Sequence, residues 1–334
     1  MAAAVSGQGA GANTGQETLG DNSDESSQRL SAVCIMGPTA SGKSDLAIEI
    51  ARRVPAEIIT VDSAQVYEGL DIGSAKPNAA LRQEIPHHLL DIRDPATPYS
   101  AADFRADALV KVAEIRARGA VPLLTGGTML YFKALKDGLA QMPVADEGIR
   151  REIAAFAEKQ GWPAVHKRLE EVDPVAAARI HENDPQRLQR ALEVYQISGH
   201  SLTYWQSKEM PACPFRLVEI AVIPPDRALL HKKIAARFHQ MLELGFLAEV
   251  EALCARGDLS ANLPAIKAVG YRQAWSYLAG DLSYDEMIER AIIATRQLAK
   301  RQYTWLRGWK NIHQIQTTNT AEALKILQVG SILD

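Results

Sequence analysis

Cysteine is scarce in this 334-residue chain. Cys34, Cys213 and Cys254 lie far apart with no paired spacing, which argues against a disulfide framework and against a cysteine-based zinc site. A reducing, cytoplasmic compartment is expected. Long apolar runs are also missing: no stretch approaches the roughly 18 residues that a membrane-spanning helix requires. Residues 1–30 have almost no large apolar side chains and neither the basic start nor the apolar centre of a secretory signal, so a disordered tail is expected there. An excess of positive charge is absent as well, with a formal net charge of −3. The tail explains that sign, because Glu17, Asp21, Asp24 and Glu25 stand there against Arg29 alone. The body is left with acids and bases in equal number, so nucleic-acid binding is a question of local patches.

What is present is an ordinary globular composition, 47% hydrophobic and 23% charged, long enough for a sizeable core and two domains. Residues 37–44 read Gly37, Pro38, Thr39, Ala40, Ser41, Gly42, Lys43 and Ser44. They follow the apolar run Ala32 to Met36 and precede a helical pattern from Asp45 to Ile50. Strand, loop and helix in that order give a phosphate-binding loop its context. Successive backbone N–H groups and a helix N-terminus attract an anion, Lys43 adds a full charge, and Ser44 offers a hydroxyl to Mg²⁺. A polyphosphate or pyrophosphate ligand is expected.

Further strand-like runs occur at Glu57 to Val61, Ala120 to Leu124 and Val218 to Ile223, alternating with helical patterns. The fold class expected is α/β: a parallel sheet of the P-loop NTPase kind, flanked by helices on both faces. Ligands of such sheets bind beyond the carboxyl ends of the strands. The phosphate loop, Asp62 and Thr125 to Thr128 all follow such ends, so they are expected to converge. Residues 146–206 show helical periods and no strand pattern, which predicts an all-helical insertion into a core formed by residues 31–145 and 207–320. Its last helix is expected to start with Asp184 as cap and Pro185 at the first helical position. Leu188, Ala191, Leu192 and Tyr195 give that helix an apolar face and leave Gln186, Arg187, Gln189 and Arg190 around its start.

A basic stripe lies near the C-terminus. From Arg296 to Lys310 there are five basic residues and no acid, with Trp305 and Trp309 interleaved. Arg296, Lys300, Tyr303 and Arg307 share one helix face, a pattern that suits a phosphate backbone better than an idle solvated surface. Asp62 admits three roles: a Walker-type carboxylate near Mg²⁺, a general base, or a cap on the neighbouring backbone. His87 and His88 lack ligand-spaced partners and read as hydrogen-bonded histidines rather than metal ligands.

Beyond the phosphate loop, several segments carry a family resemblance. They are Asp-Ser-Ala-Gln-Val-Tyr at 62–67, Asp-Ile-Gly-Ser-Ala-Lys-Pro at 71–77, Tyr-Ser-Ala-Ala-Asp-Phe at 99–104 and the run opening Gly-Gly-Thr-Met-Leu-Tyr at 126. Asp-Pro-Gln-Arg-Leu-Gln-Arg at 184–190, Ala-Val-Gly-Tyr-Arg-Gln at 268–273 and Arg-Gln-Leu-Ala-Lys-Arg-Gln at 296–302 continue the series. In this order, from about residue 31 to about 310, the chain resembles the bacterial tRNA dimethylallyltransferases. The Cys/His zinc finger of eukaryotic relatives has no counterpart in the sequence, and the polar tail is not part of the family core.

The resemblance implies transfer of a dimethylallyl group from its diphosphate to N6 of adenosine 37 in the tRNA anticodon stem-loop. Residues Gly37 to Ser44 would hold the diphosphate, with Mg²⁺ at Ser44. Asp62 would be the general base, Arg237 would contact the reacting diphosphate, and Thr128 would stand at the reaction channel. The implied tRNA contacts are Asp62, Ser63, Ala64, Gln65, Thr128 and Arg150, then Gln186, Arg187, Leu188, Gln189 and Arg190. They continue with Lys267, Ala268, Val269, Gly270, Tyr271 and Arg272, and with Lys300, Arg301, Gln302, Tyr303, Thr304, Trp305, Leu306 and Arg307. A monomer without membrane contact is expected. Two other classes compete: a kinase or NTPase that uses ATP, disfavoured by the lack of an arginine-rich lid pattern, and an RNA-binding module with a vestigial phosphate site, disfavoured by the presence of Lys43, Ser44 and Asp62 together.

Overall fold

The computed structural model describes residues 31–316 and 319–329, so the expected disordered tail lies outside the described residues. Six strands form one sheet: β1 (Ser31–Met36), β2 (Ala56–Val61), β3 (His87–His88), β4 (Val121–Gly126), β5 (Arg216–Val222) and β6 (His313–Ile315). Their order is β3-β2-β4-β1-β5-β6 and every pairing is parallel. Near-continuous apolar runs let the central strands be buried on both faces. In β1, Ala32, Cys34 and Met36 enter one core cluster, while Val33 and Ile35 enter the other on the opposite face. That is the two-residue alternation of a strand. Chain connections lead from β1 toward β2 on one side, and β5 lies on the other, so the crevice beyond the carboxyl end of β1 is the topological switch point.

Residues 146–206 carry helices and no strand. Helices run Glu147–Gln160, Trp162–Val172, Pro174–Ala177, Pro185–Ser198 and Leu202–Gln206, the last of which the sequence reading did not anticipate. They close around a core of their own, including Ile153, Val165, Leu169, Leu188 and Val194. The whole insertion lies between β4 and β5. Its entry and exit touch: a Cβ on Gly138, which has φ +80°, would stand 2.9 Å from Met210 Cβ and 2.9 Å from the Pro211 carbonyl oxygen. Both short strands, β3 and β6, also escaped the sequence reading. His87 and His88 form β3; His87 Nδ1 lies 2.7 Å from Ile85 O and His88 Nε2 2.6 Å from Glu57 Oε2. Among the described residues no helix is long and apolar enough to cross a membrane.

Candidate functional site

The phosphate loop leaves β1 at Met36. Gly37 has no room for a side chain, since a Cβ would lie 2.5 Å from Ser41 Oγ and 2.9 Å from Val222 O. Gly42, at φ 88°, turns the loop into the helix Lys43–Ala51. No side chain caps that helix, so the N–H groups of its first turn remain available to an external anion. Lys43 Nζ donates to Pro38 O at 3.1 Å, holding the ammonium over the loop.

Above the loop opens a cavity of ≈ 410 Å³ lined by Lys43, Ser44, Asp62 to Gln65, Thr125 to Gly127, Arg237 and the segment Lys267 to Gly270. A second cavity of ≈ 640 Å³ lies on its other flank and shares Ala40, Lys43, Ser44, Gln65, Ala75, Thr125 and Arg237 with it. The two therefore meet at the phosphate loop, and the expected convergence of strand ends is observed. Burial lowers Lys43 to about 8, with Arg237 acting in the same direction and Asp62 and Asp45 against it. Burial likewise lowers Arg237, again opposed by Asp62 and Asp45. Among the described residues Arg237 makes no ion pair or hydrogen bond. Two cations held close together and partly stripped of water are a site for a multiply charged anion.

Asp62 ends β2. Its Oδ1 accepts from Ala64 N at 2.8 Å and Gln65 N at 3.3 Å, so the capping role expected as one alternative is present. Its other oxygen has no hydrogen-bond partner among the described residues and is available to the cavity. Thr128 stands one step back: it is not in the cavity wall, and its Oγ1 accepts from Ser63 N at 3.1 Å. Thr128 thus fixes the residue next to Asp62. The close packing of strand ends leaves Gly126 no alternative, because a Cβ there would lie 1.9 Å from Val61 O.

Several residues implied as tRNA contacts are placed otherwise. Leu188 is buried in the insertion core, and Leu306 and Tyr271 in the main core. The Tyr271 hydroxyl donates to Glu249 Oε1 at 2.5 Å. Tyr303 is buried with its hydroxyl donating to Pro224 O at 3.1 Å. Gln302 is also buried. Leu188, Tyr271 and Leu306 are therefore not surface contacts, while the buried Gln302 and Tyr303 each reach a cavity wall: Ala299, Gln302, Tyr303 and Leu306 fall at i, i+3, i+4, i+7 and form the inward stripe of the helix Tyr284–Arg307. Arg150 and Arg190 both donate to Glu193, which has no solvent exposure, at 2.8 Å and 2.6 Å. Their first role is to neutralise that carboxylate.

The exposed candidates are Ser63, Arg150, Gln186, Arg187, Lys267, Arg272, Lys300, Arg301, Thr304, Trp305 and Arg307, with Gln189 among those half-buried. Arg296, Lys300, Tyr303 and Arg307 do share a surface, as the periodicity predicts. With Arg227 and His231 they line a cleft of ≈ 510 Å³ that no acidic residue enters. The contribution of Arg227 and His231 was missed, because nothing in the sequence says which helix packs beside the stripe.

The residues 65–309 match the family described as IPP transferase. The fold resembles the full-length tRNA isopentenylpyrophosphate transferase of Bacillus halodurans at 35% identity and a TM-score of 0.64, covering 91% of this chain and 95% of that one. It resembles the tRNA delta(2)-isopentenylpyrophosphate transferase of Staphylococcus epidermidis at 30% identity and a TM-score of 0.64, covering 91% and 100%. The chain belongs to the IPP transferase family. A eukaryotic dimethylallyltransferase acting on tRNA is similar at 25% identity and a TM-score of 0.73, over 90% of this chain and 79% of that one. Membership in the IPP transferase family makes the protein a prenyl transferase on a P-loop-like parallel sheet, as the sequence motifs imply.

Proposed function

We propose that this protein transfers a dimethylallyl group from dimethylallyl diphosphate to N6 of adenosine 37 in the anticodon stem-loop of tRNA. The observation that carries the reading is the meeting of two cavities at Lys43, Ser44 and Arg237, with Asp62 in the wall of one of them. A donor diphosphate on the loop and a base entering from the other side would then face each other across the strand ends.

The residues of the chain divide the chemistry. As the allylic C–O bond breaks, its electron pair goes to the diphosphate, and the uncapped helix N-terminus, Lys43 and Arg237 stabilise the charge where it develops. The N6 nitrogen forms the new bond to carbon, and its proton goes to the unpartnered oxygen of Asp62. Thr128, through Ser63, keeps that carboxylate loop in place. An adenine must leave its stack to reach the cavity, which a single-stranded loop makes less costly. The exposed basic cleft and the insertion surface around Arg187 would seat the surrounding stem.

The donor set also fits Mg²⁺. Ser44 lines both cavities, and its hydroxyl has no hydrogen-bond partner among the described residues. No group of three His, Cys, Asp or Glu suited to a metal occurs among the described residues, so the ion would share Ser44 with water and the donor's phosphates. When bound it would supply further neutralisation of the leaving diphosphate.

The deciding experiment offers the pure protein bulk tRNA with labelled dimethylallyl diphosphate or labelled ATP, followed by mass analysis of the tRNA nucleosides. Label on an N6-modified adenosine from the diphosphate donor, without ATP consumption, is the expected result. ATP turnover without tRNA modification would overturn the reading.

A further inference from the structure

Gln302 is buried to 6% exposure on a helix whose neighbouring positions Lys300, Arg301, Thr304 and Trp305 face solvent. Its amide spans two loops that are distant in the chain. Oε1 accepts from the Thr39 N–H of the phosphate loop at 2.9 Å, and Nε2 donates to Gly127 O, beyond β4, at 2.9 Å. The approach is made possible by glycine: a Cβ on residue 127 would lie 2.3 Å from Gln302 Nε2. The residue after Gly127 is Thr128, whose hydroxyl holds Ser63 beside Asp62. One side chain thus ties the basic helix to the phosphate loop and, through Gly127 and Thr128, to the carboxylate loop.

A buried amide satisfied at both ends by backbone groups is costly to displace, because either loop would be left with an unpaired polar group. A shift of the helix is therefore shared by the loops rather than absorbed between them. We infer that Gln302 is a positioning residue that couples the two substrates, so that tRNA seated on the exposed face of this helix orders the phosphate loop for the donor. The inference rests on the donor and acceptor assignment proposed above. Coupling of this kind is reciprocal: the factor by which tRNA tightens the donor equals the factor by which the donor tightens tRNA.

The test measures binding of dimethylallyl thiodiphosphate, a donor analogue with an unreactive C–S bond, with and without saturating tRNA, and the converse. The wild-type protein is expected to show tightening of about fivefold or more in both directions. In Gln302→Met, which keeps the length but neither hydrogen bond, the factor should fall to within twofold of unity. The tRNA affinity measured without donor should change less than about threefold, because the side chain is buried. Gln302→Glu keeps the acceptor for Thr39 but sets an oxygen against Gly127 O, and should lose the coupling too. A purely structural role would lower the melting temperature of the variants and leave the factor intact, which would overturn the inference. Equal donor affinity with and without tRNA in the wild type would also overturn it, whether or not the variants fold. Failure of the wild type to bind the analogue at all would instead remove the assigned donor and the inference with it.

Discussion

Arg150 Nε lies 2.8 Å from Glu193 Oε1, and Glu193 itself has no solvent exposure. A carboxylate so placed needs its partners, and Arg190 and the Asp146 N–H complete the set. Burial alone would raise the Glu193 carboxyl; the hydrogen bonds outweigh burial and hold it below the ordinary value of 4.5. The network joins the first helix of the insertion to Pro185–Ser198, and both arginines matched tRNA contacts by resemblance.

Glu193→Gln should therefore destabilise the protein by about 1–3 kcal/mol, as when a buried charged hydrogen-bond network loses its centre. A group with a depressed folded pKa stabilises above its unfolded value and loses that contribution as pH falls through the folded one. The wild-type advantage over Glu193→Gln should consequently be full at pH 7 and shrink below about pH 4.5. Urea melts of both proteins at several pH values check this.

Asp62→Asn separates the two roles of that side chain. The asparagine oxygen can still accept from Ala64 N and Gln65 N, so folding and tRNA binding should be nearly unchanged. Single-turnover transfer should fall by on the order of 10²-fold or more, the range for loss of a general base. A loss below tenfold with saturating substrates would leave Asp62 as a cap only.

Lys43 gives a pH prediction of opposite sense for binding and stability. With its pKa lowered to about 8, the free protein loses this charge as pH rises through 8, and kcat/KM for the donor should decline there. The same shift means that folding holds an unfavourable charge at neutral pH, and ligand-free stability gains from this group as pH rises from 8 toward 10.5. Lys43→Met should then bind donor poorly yet melt roughly 1–3 °C higher without ligand at pH 7. Calorimetry and donor titrations read both effects.

For the basic cleft, Lys300→Ala with Arg307→Ala removes two exposed cations. Each phosphate contact adds about 0.7–0.9 to the slope of log affinity against log salt. The double variant should bind all tRNA substrates more weakly and flatten the slope by roughly one to two units. An unchanged slope in a filter-binding salt series would mean that tRNA lies elsewhere.

The strands that carry the site were legible because each is a short, mostly apolar run followed by glycine or polar residues. Two- and three-residue strands such as β3 and β6 are too short for any periodicity to register. The phosphate loop was legible because its chemistry is local. The role of Gln302 was not, since its partners lie 263 and 175 residues away. Glu193 was hidden for the same reason: its arginine partner at position 150 belongs to a different helix.

The contact between Gly138 and the Met210–Pro211 pair has an evolutionary reading. A segment whose two ends meet, and whose apolar side chains pack on one another, behaves as a cassette. The chain can leave β4 and rejoin the path to β5 at nearly the same point, so the sheet is wired identically whether the cassette is long, short or replaced by a turn. Substitutions and changes of length can thus accumulate in the cassette while the strand ends stay as they are.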